Sequence, residues 1–134
     1  LVPGSKRVLV IDDDSAVREI TVSLLQRMGC KVHDAGSGGA GLDLLARSDA
    51  AFDLVVLDFA MPGMTGADVE RAIAKDFPDL PVLFVTGYAD LTALRDIGEE
   101  RIAQKPFDQT DFAAKVKRLL GVEAGGSNVV ALRR

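Results

Sequence analysis

Five short apolar runs alternate along this chain with segments whose apolar residues recur at helical spacing, and that alternation limits the fold more than any other feature. The runs are 8–11 (VLVI), 30–33 (CKVH), 53–57 (DLVVL), 81–85 (PVLFV) and 102–104 (IAQ). Between the first two, Val17, Ile20, Thr21, Leu24, Leu25 and Met28 share one helical face, and Gly29 follows as a natural stop. Leu42, Leu45 and Ala46 mark a second helix, and Val69, Ala72, Ile73 and Phe77 a third that Pro78 ends. Leu91, Leu94 and Ile97 mark a short fourth before Gly98, and Phe112, Val116, Leu119 and Leu120 a last one before Gly121. Strict strand–helix alternation implies an α/β fold, a single-domain (βα)5 three-layer sandwich with a parallel sheet covered on both faces. The near-continuous apolar strands agree, because strands buried on both faces need not alternate with polar residues.

Composition excludes several classes of function. A length of 134 residues suits one domain, and a net charge of −4 with scattered Lys and Arg argues against a nucleic-acid surface. The one cysteine, Cys30, rules out an internal disulfide and reads as a small buried residue in a cytoplasmic protein. No apolar run approaches the ~18 residues of a membrane span, and no secretory segment is evident. "LVPGS" (1–5) reads as an expression-tag remnant outside the fold, 6–121 as the folded domain, and 122–134 as a C-terminal tail or linker stump. His33, the only histidine, sits on the weak second strand and reads as structural or half-exposed.

In open parallel sheets, ligands bind beyond the carboxyl ends of the strands. Asp12, Asp13 and Asp14 follow the first strand, Asp58 the third, Thr86 the fourth and Lys105 the fifth. Clustered carboxylates repel one another unless a cation compensates, and oxygen-only ligands suit Mg²⁺. A lysine opposite the acids pairs with a carboxylate or a phosphoryl group, and a hydroxyl donates to a phosphoryl oxygen. These parts fit phosphoryl transfer, in which a carboxylate can itself be the nucleophile. Each has an ordinary reading alone. The aspartates could cap a helix, Asp58 and Thr86-Gly87 could be loop residues, and Lys105-Pro106 could be only a restricted backbone. Their joint placement on different strand ends favours the chemical reading. The stretch Met61 to Gly66 reads as a tight turn into a helix.

The strings "VLVIDDD", "DLVVLDFAMPGMTG", "LFVTGY" and "QKPF" together resemble the CheY-like receiver domain of two-component response regulators, over about residues 6–121. The resemblance implies a flavodoxin-like five-stranded sheet in the order 2-1-3-4-5. It implies Asp58 as phosphoacceptor, with Asp12 and Asp13 as the acidic pair of an Mg²⁺ site at which Mn²⁺ can substitute. Asp13 would bind the metal directly, Asp12 through water, and Ala60 through its backbone carbonyl. Thr86 matches the switch hydroxyl and Lys105 the phosphate-pairing lysine, while Asp14 falls outside the pair and reads as a helix cap. The implied partner is a histidine kinase or a histidine phosphotransfer protein, with no direct nucleic acid or membrane contact and an unspecified downstream target. The implied function is a phosphorylated signalling switch that catalyses its own phosphorylation and dephosphorylation. The chain would be a stand-alone regulator or the receiver of a hybrid histidine kinase.

Two departures from the pattern stand out. Ile102 occupies the position three residues before the lysine where the family carries an aromatic switch, and Tyr88 is the candidate replacement. Ala60 and Tyr88 also occupy positions that modulate water access to the phosphate in that family. Only 18 residues (87–104) separate Thr86 from Lys105, so the fourth helix is expected to be abbreviated. The alternative is a haloacid-dehalogenase-like phosphatase with Asp12 as nucleophile. Ala16 departs from its signature, no paired acids follow Lys105, and Asp58 is left unexplained. An interaction module that works without phosphorylation is disfavoured because every site residue is present.

Overall fold

Aliphatic and β-branched residues fill the strands, and period-two alternation sorts them onto two opposite faces. The structure, a computed structural model, describes residues 2, 5–47, 51–87, 97–105 and 108–122. Five strands form one parallel sheet: β1 (Arg7–Ile11), β2 (Lys31–Ala35), β3 (Leu54–Asp58), β4 (Val82–Thr86) and β5 (Ile102–Gln104). Their order is β2-β1-β3-β4-β5, as the resemblance implies. Described with them are helices α1 (Ser15–Arg27), α2 (Gly38–Arg47), α3 (Gly66–Asp76) and α4 (Gln109–Leu120), and a 3-10 turn at Glu99–Arg101. The expected short helix at Leu91, Leu94 and Ile97 falls outside the described residues except for Ile97, as does the tail beyond Val122. No described helix is long and apolar enough to cross a membrane.

One face of the sheet presents Val8, Val10, Leu54, Val56, Leu83 and Val85 to Leu24 and Leu25 of α1 and to Phe112 and Val116 of α4. The other presents Leu9, Ile11, Val55, Leu57, Val82 and Phe84 to Leu45 of α2 and to Val69 and Ile73 of α3. Full burial of each such side chain contributes about 1.5–3 kcal/mol. The three-layer arrangement is therefore the one that hides both faces. The edge strand β2 differs, exposing Lys31, His33 and Asp34. Charges there discourage pairing with a further strand. The His33 ring sits edge-on to Phe52 at 5.5 Å and 3.2 Å from an Arg7 nitrogen, a surface packing role. Cys30 is buried, and burial followed by the Asp53 charge raises its thiol pKa, as befits an inert packing residue.

Two residues just outside the expected bounds of the folded unit pack against it. Gly121 ends α4 with a left-handed φ of 75°, and the Val122 N–H returns to the Lys117 carbonyl at 2.9 Å. That return packs Val122 against the core. Val2, expected to lie outside the fold, is buried, and its N–H donates to the Met28 carbonyl at 2.6 Å. The cause is local, since the end of α1 leaves carbonyls without intrahelical partners and Val2 supplies a donor.

Strand order also decides where a ligand can enter. β1 pairs with both β2 and β3, so the chain leaves it first to one side and then to the other. A crevice opens beyond the carboxyl ends of β1 and β3. Gly66 starts α3 beside this crevice, where a Cβ would lie 2.6 Å from the Phe59 Cα and 2.8 Å from the Asp58 carbonyl oxygen. Both are backbone atoms that cannot rotate away. Gly66→Ala is expected to destabilise the domain by about 1–3 kcal/mol through overpacking. Urea unfolding reads this as a lower midpoint at unchanged slope. A midpoint equal to that of the parent chain would show that the turn relaxes freely.

Candidate functional site

Strand register brings the acids together. Ile11 pairs with Leu57, so the next residues, Asp12 just past β1 and Asp58 ending β3, come out side by side at the same rim. They are 3% and 4% exposed, whereas Asp13 is open to solvent. Carboxylate oxygens of Asp12, Asp13 and Asp58 all lie within 4.8 Å of one another. Lys105 follows β5 and places its Nζ 3.4 Å from Asp58 Oδ1 and 3.8 Å from Asp12 Oδ2. Its backbone N–H donates to the Thr86 carbonyl at 2.9 Å, which fixes where the lysine leaves the sheet.

This arrangement is short of positive charge. Burial, and then the Asp12 charge, push the Asp58 carboxyl up to about 7 from an ordinary 3.8, against the opposing pull of Lys105. Three converging carboxylates with no nitrogen or sulfur ligand in the cluster fit a hard divalent cation such as Mg²⁺ better than zinc.

The loop carrying Asp12 to Asp14 is held from several sides. The Asp12 N–H donates to the Ala35 carbonyl at 3.1 Å, and Asp12 Oδ1 accepts the Asp14 N–H at 2.9 Å. Asp14 Oδ1 accepts the Ala16 and Val17 N–H groups, the capping role expected of it. Arg18 is a residue the sequence reading does not single out. Its Nη1 donates to the Asp12 carbonyl at 2.6 Å and its Nε to Asp34 Oδ2 at 2.8 Å. Its only signal in the sequence is a lone arginine just after three aspartates. The partner Asp34 becomes visible only once β1 and β2 pair.

The remaining expected residues divide. Thr86 is fully buried, continues the Val82–Phe84 side of β4, and donates its hydroxyl to the Gly87 carbonyl at 3.1 Å. Ala60 is exposed two residues beyond Asp58. Ile102 is half-buried against the Phe84 cluster, and its carbonyl accepts the Lys115 Nζ at 2.7 Å. Tyr88 lies outside the described residues.

A model of the response regulator receiver domain matches residues 8–117. The chain belongs to that family. Sensor kinase CckA of Brucella abortus is 36% identical over 120 residues, covering 87% of this receiver but 13% of CckA. Response regulator receiver protein CpdR of the same organism is 30% identical over 118 residues, covering 86% of this receiver and 97% of CpdR. Among solved structures, a Clostridium thermocellum receiver domain superposes with a TM-score of 0.78 at 27% identity, covering 96% of this chain and 99% of that one. TrrA of Thermotoga maritima, solved in complex with Mg²⁺–BeF, superposes with a TM-score of 0.75 at 31% identity, covering 85% and 98%. Receiver domains bind Mg²⁺ at an acidic site, and the residues of this receiver that fit one are Asp12, Asp13 and Asp58. Receivers partner with histidine kinases or phosphotransfer proteins. The family assignment leaves the haloacid-dehalogenase-like alternative, with Asp12 as nucleophile, without support.

The raised carboxyl of Asp58 ties stability to pH. A group whose folded pKa exceeds its unfolded one stabilises fully below the unfolded value, and that contribution is lost as pH rises through the folded value. Metal-free receiver should therefore lose stability between about pH 4 and pH 7, as the Asp58 proton leaves a site that holds it. Asp58→Asn removes the buried charge and is expected to raise stability at pH 8 by about 1–3 kcal/mol, with little change at pH 4. Urea unfolding in chelator at the two pH values measures this. Equal gains at both would show that the Asp58 charge is not the cause.

Proposed function

We propose that this receiver accepts a phosphoryl group from a phosphohistidine onto Asp58 and thereby shifts between two conformations. The observation that carries the reading is the buried Asp58 carboxylate, with two further carboxylates within 4.8 Å and the Lys105 ammonium at 3.4 Å. An Asp58 oxygen attacks phosphorus, the phosphorus–nitrogen bond breaks, and the imidazole of the donor leaves. Asp13, Asp58 and the Ala60 carbonyl, with Asp12 in the outer shell, would hold Mg²⁺ or Mn²⁺, which would supply positive charge against the carboxylates and the phosphoryl oxygens. Lys105 exchanges its contact with Asp58 for a phosphoryl oxygen, forming a charge-assisted hydrogen bond. Water attack on the acyl phosphate resets the switch, so the chain acts on itself and not on a released substrate.

The switch follows from competing hydrogen bonds. The Thr86 hydroxyl is engaged by the Gly87 carbonyl at 3.1 Å, and it reaches a phosphoryl oxygen only by giving that bond up. Phosphorylation favours whichever arrangement frees it, which is a population shift. Ile102 has no ring to move inward, so the exchange at Thr86 proceeds without the aromatic partner. The donor is a histidine kinase or a histidine phosphotransfer protein, and the chain serves as a stand-alone regulator or as the receiver of a hybrid kinase.

Incubation with Mg²⁺ and a small acyl phosphate, followed by intact-mass measurement, tests the chemistry. The expected product is one added phosphoryl group on the parent chain and none on Asp58→Asn or in the presence of chelator. An unmodified parent chain, or a labelled Asp58→Asn, ends the proposal. Because the position of Tyr88 modulates water access to the phosphate in this family, Tyr88→Ala is expected to shorten the half-life of the phosphorylated form. A half-life matching that of the parent would remove Tyr88 from that role.

A further inference from the structure

Arg18 joins three elements at the rim of the site. From α1 it donates to the Asp12 backbone carbonyl at 2.6 Å and to the Asp34 carboxylate at the end of β2 at 2.8 Å. Its own N–H donates to the Asp14 carbonyl at 2.8 Å, closing the first turn of α1 over the same loop. The side chain is 21% exposed, and a Cβ on Gly36 would lie 3.3 Å from Nη1, so the β2–α2 connection also packs on the guanidinium. An ion pair on open surface would contribute little by itself. Here the fork of the guanidinium spends one arm on a carbonyl of the acidic loop and the other on the adjacent strand.

We propose that Arg18 is the positioning residue of the cation site: by gripping the Asp12 carbonyl and Asp34 together, it sets the loop that presents the Asp12 and Asp13 carboxylates. The inference rests on the Mg²⁺ reading of those acids. It goes beyond that reading by giving the preorganisation of the site to a side chain that touches neither the cation nor the phosphoryl group. A lysine cannot take its place, because one ammonium on a flexible stem lacks the two-armed planar geometry.

Charge and position predict opposite signs. As a positive charge beside a cation site, Arg18 disfavours Mg²⁺, so through charge alone Arg18→Ala would bind Mg²⁺ more tightly and Arg18→Lys would match the parent. As a positioning residue, its loss weakens binding, by about tenfold in Arg18→Ala, the lower end of what loss of an outer-shell partner costs. Arg18→Lys should fall between that variant and the parent.

The test is calorimetric titration of MgCl₂ into the metal-free full chain, at a temperature where circular dichroism shows each variant folded. Weaker binding in both Arg18 variants supports the proposal. Equal or tighter binding in Arg18→Ala, or parental affinity in Arg18→Lys, overturns it. Asp34→Asn and Asp34→Ala give a second arm that stands even if the Arg18 variants fail to fold. The two remove the same charge, but only asparagine keeps an acceptor for the Arg18 Nε. Weaker Mg²⁺ binding in Asp34→Ala than in Asp34→Asn is expected, and equal affinities overturn the proposal. If the parent chain itself binds no Mg²⁺, the cation-site reading falls and this one with it. Parental binding with indifferent variants removes Arg18 alone.

Discussion

Two carboxylates buried side by side share a single lysine at the rim of the sheet, and the rest of the site answers to that imbalance. Asp12 and Asp58 are 3% and 4% exposed, and the Lys105 ammonium stands 3.8 Å and 3.4 Å from them, respectively. One cation cannot offset two buried anions and the solvent-exposed Asp13 as well. Burial first, and then the Asp12 charge, raise the Asp58 carboxyl pKa, and the excess of acid suits the rim to a hard divalent cation.

The fold supplies what that imbalance requires, namely rigid backbone next to strained electrostatics. Both faces of β1, β3 and β4 are covered by helices, so the strand ends that carry the acids cannot spread apart without exposing apolar surface. Local devices refine the placement. Asp14 caps α1, Thr65 and Asp68 form a reciprocal capping box at α3, and Gly66 lets that helix start against the Asp58 carbonyl. Each fixes a loop that carries, or lies beside, a residue of the site.

The residues proposed for the switch sit differently from the acids. The Thr86 hydroxyl is held by its own neighbour's carbonyl, and Ile102 is tied to α4 through Lys115 at 2.7 Å. A branched aliphatic side chain anchored at its backbone has little freedom to swing. The Thr86 carbonyl in turn accepts the Lys105 backbone N–H at 2.9 Å, which ties the ends of β4 and β5 together.

Much of this was written in the linear order of residues. Apolar runs such as Val8–Ile11 and Val82–Val85 mark strands because burial on both faces leaves no room for polar residues. Gly29 and Gly121 mark helix ends because they adopt φ of 93° and 75° there. Asp58, Thr86 and Lys105 could be placed at strand ends for the same reason, and Asp14 as a cap from its position before an amphipathic run. What sequence did not reveal are contacts whose partners lie far apart along the chain: Val2 on Met28, Val122 on the core, and Arg18 bridging Asp12 and Asp34. The direction of the Thr86 hydroxyl was equally hidden, since a rotamer is chosen among hydrogen-bond partners that exist only after packing. The residues thus determined which groups reach the rim, through local propensity and burial pattern. Tertiary structure alone decided which of them touch, because strand register and helix docking set distances of a few ångströms that no spacing in the chain encodes.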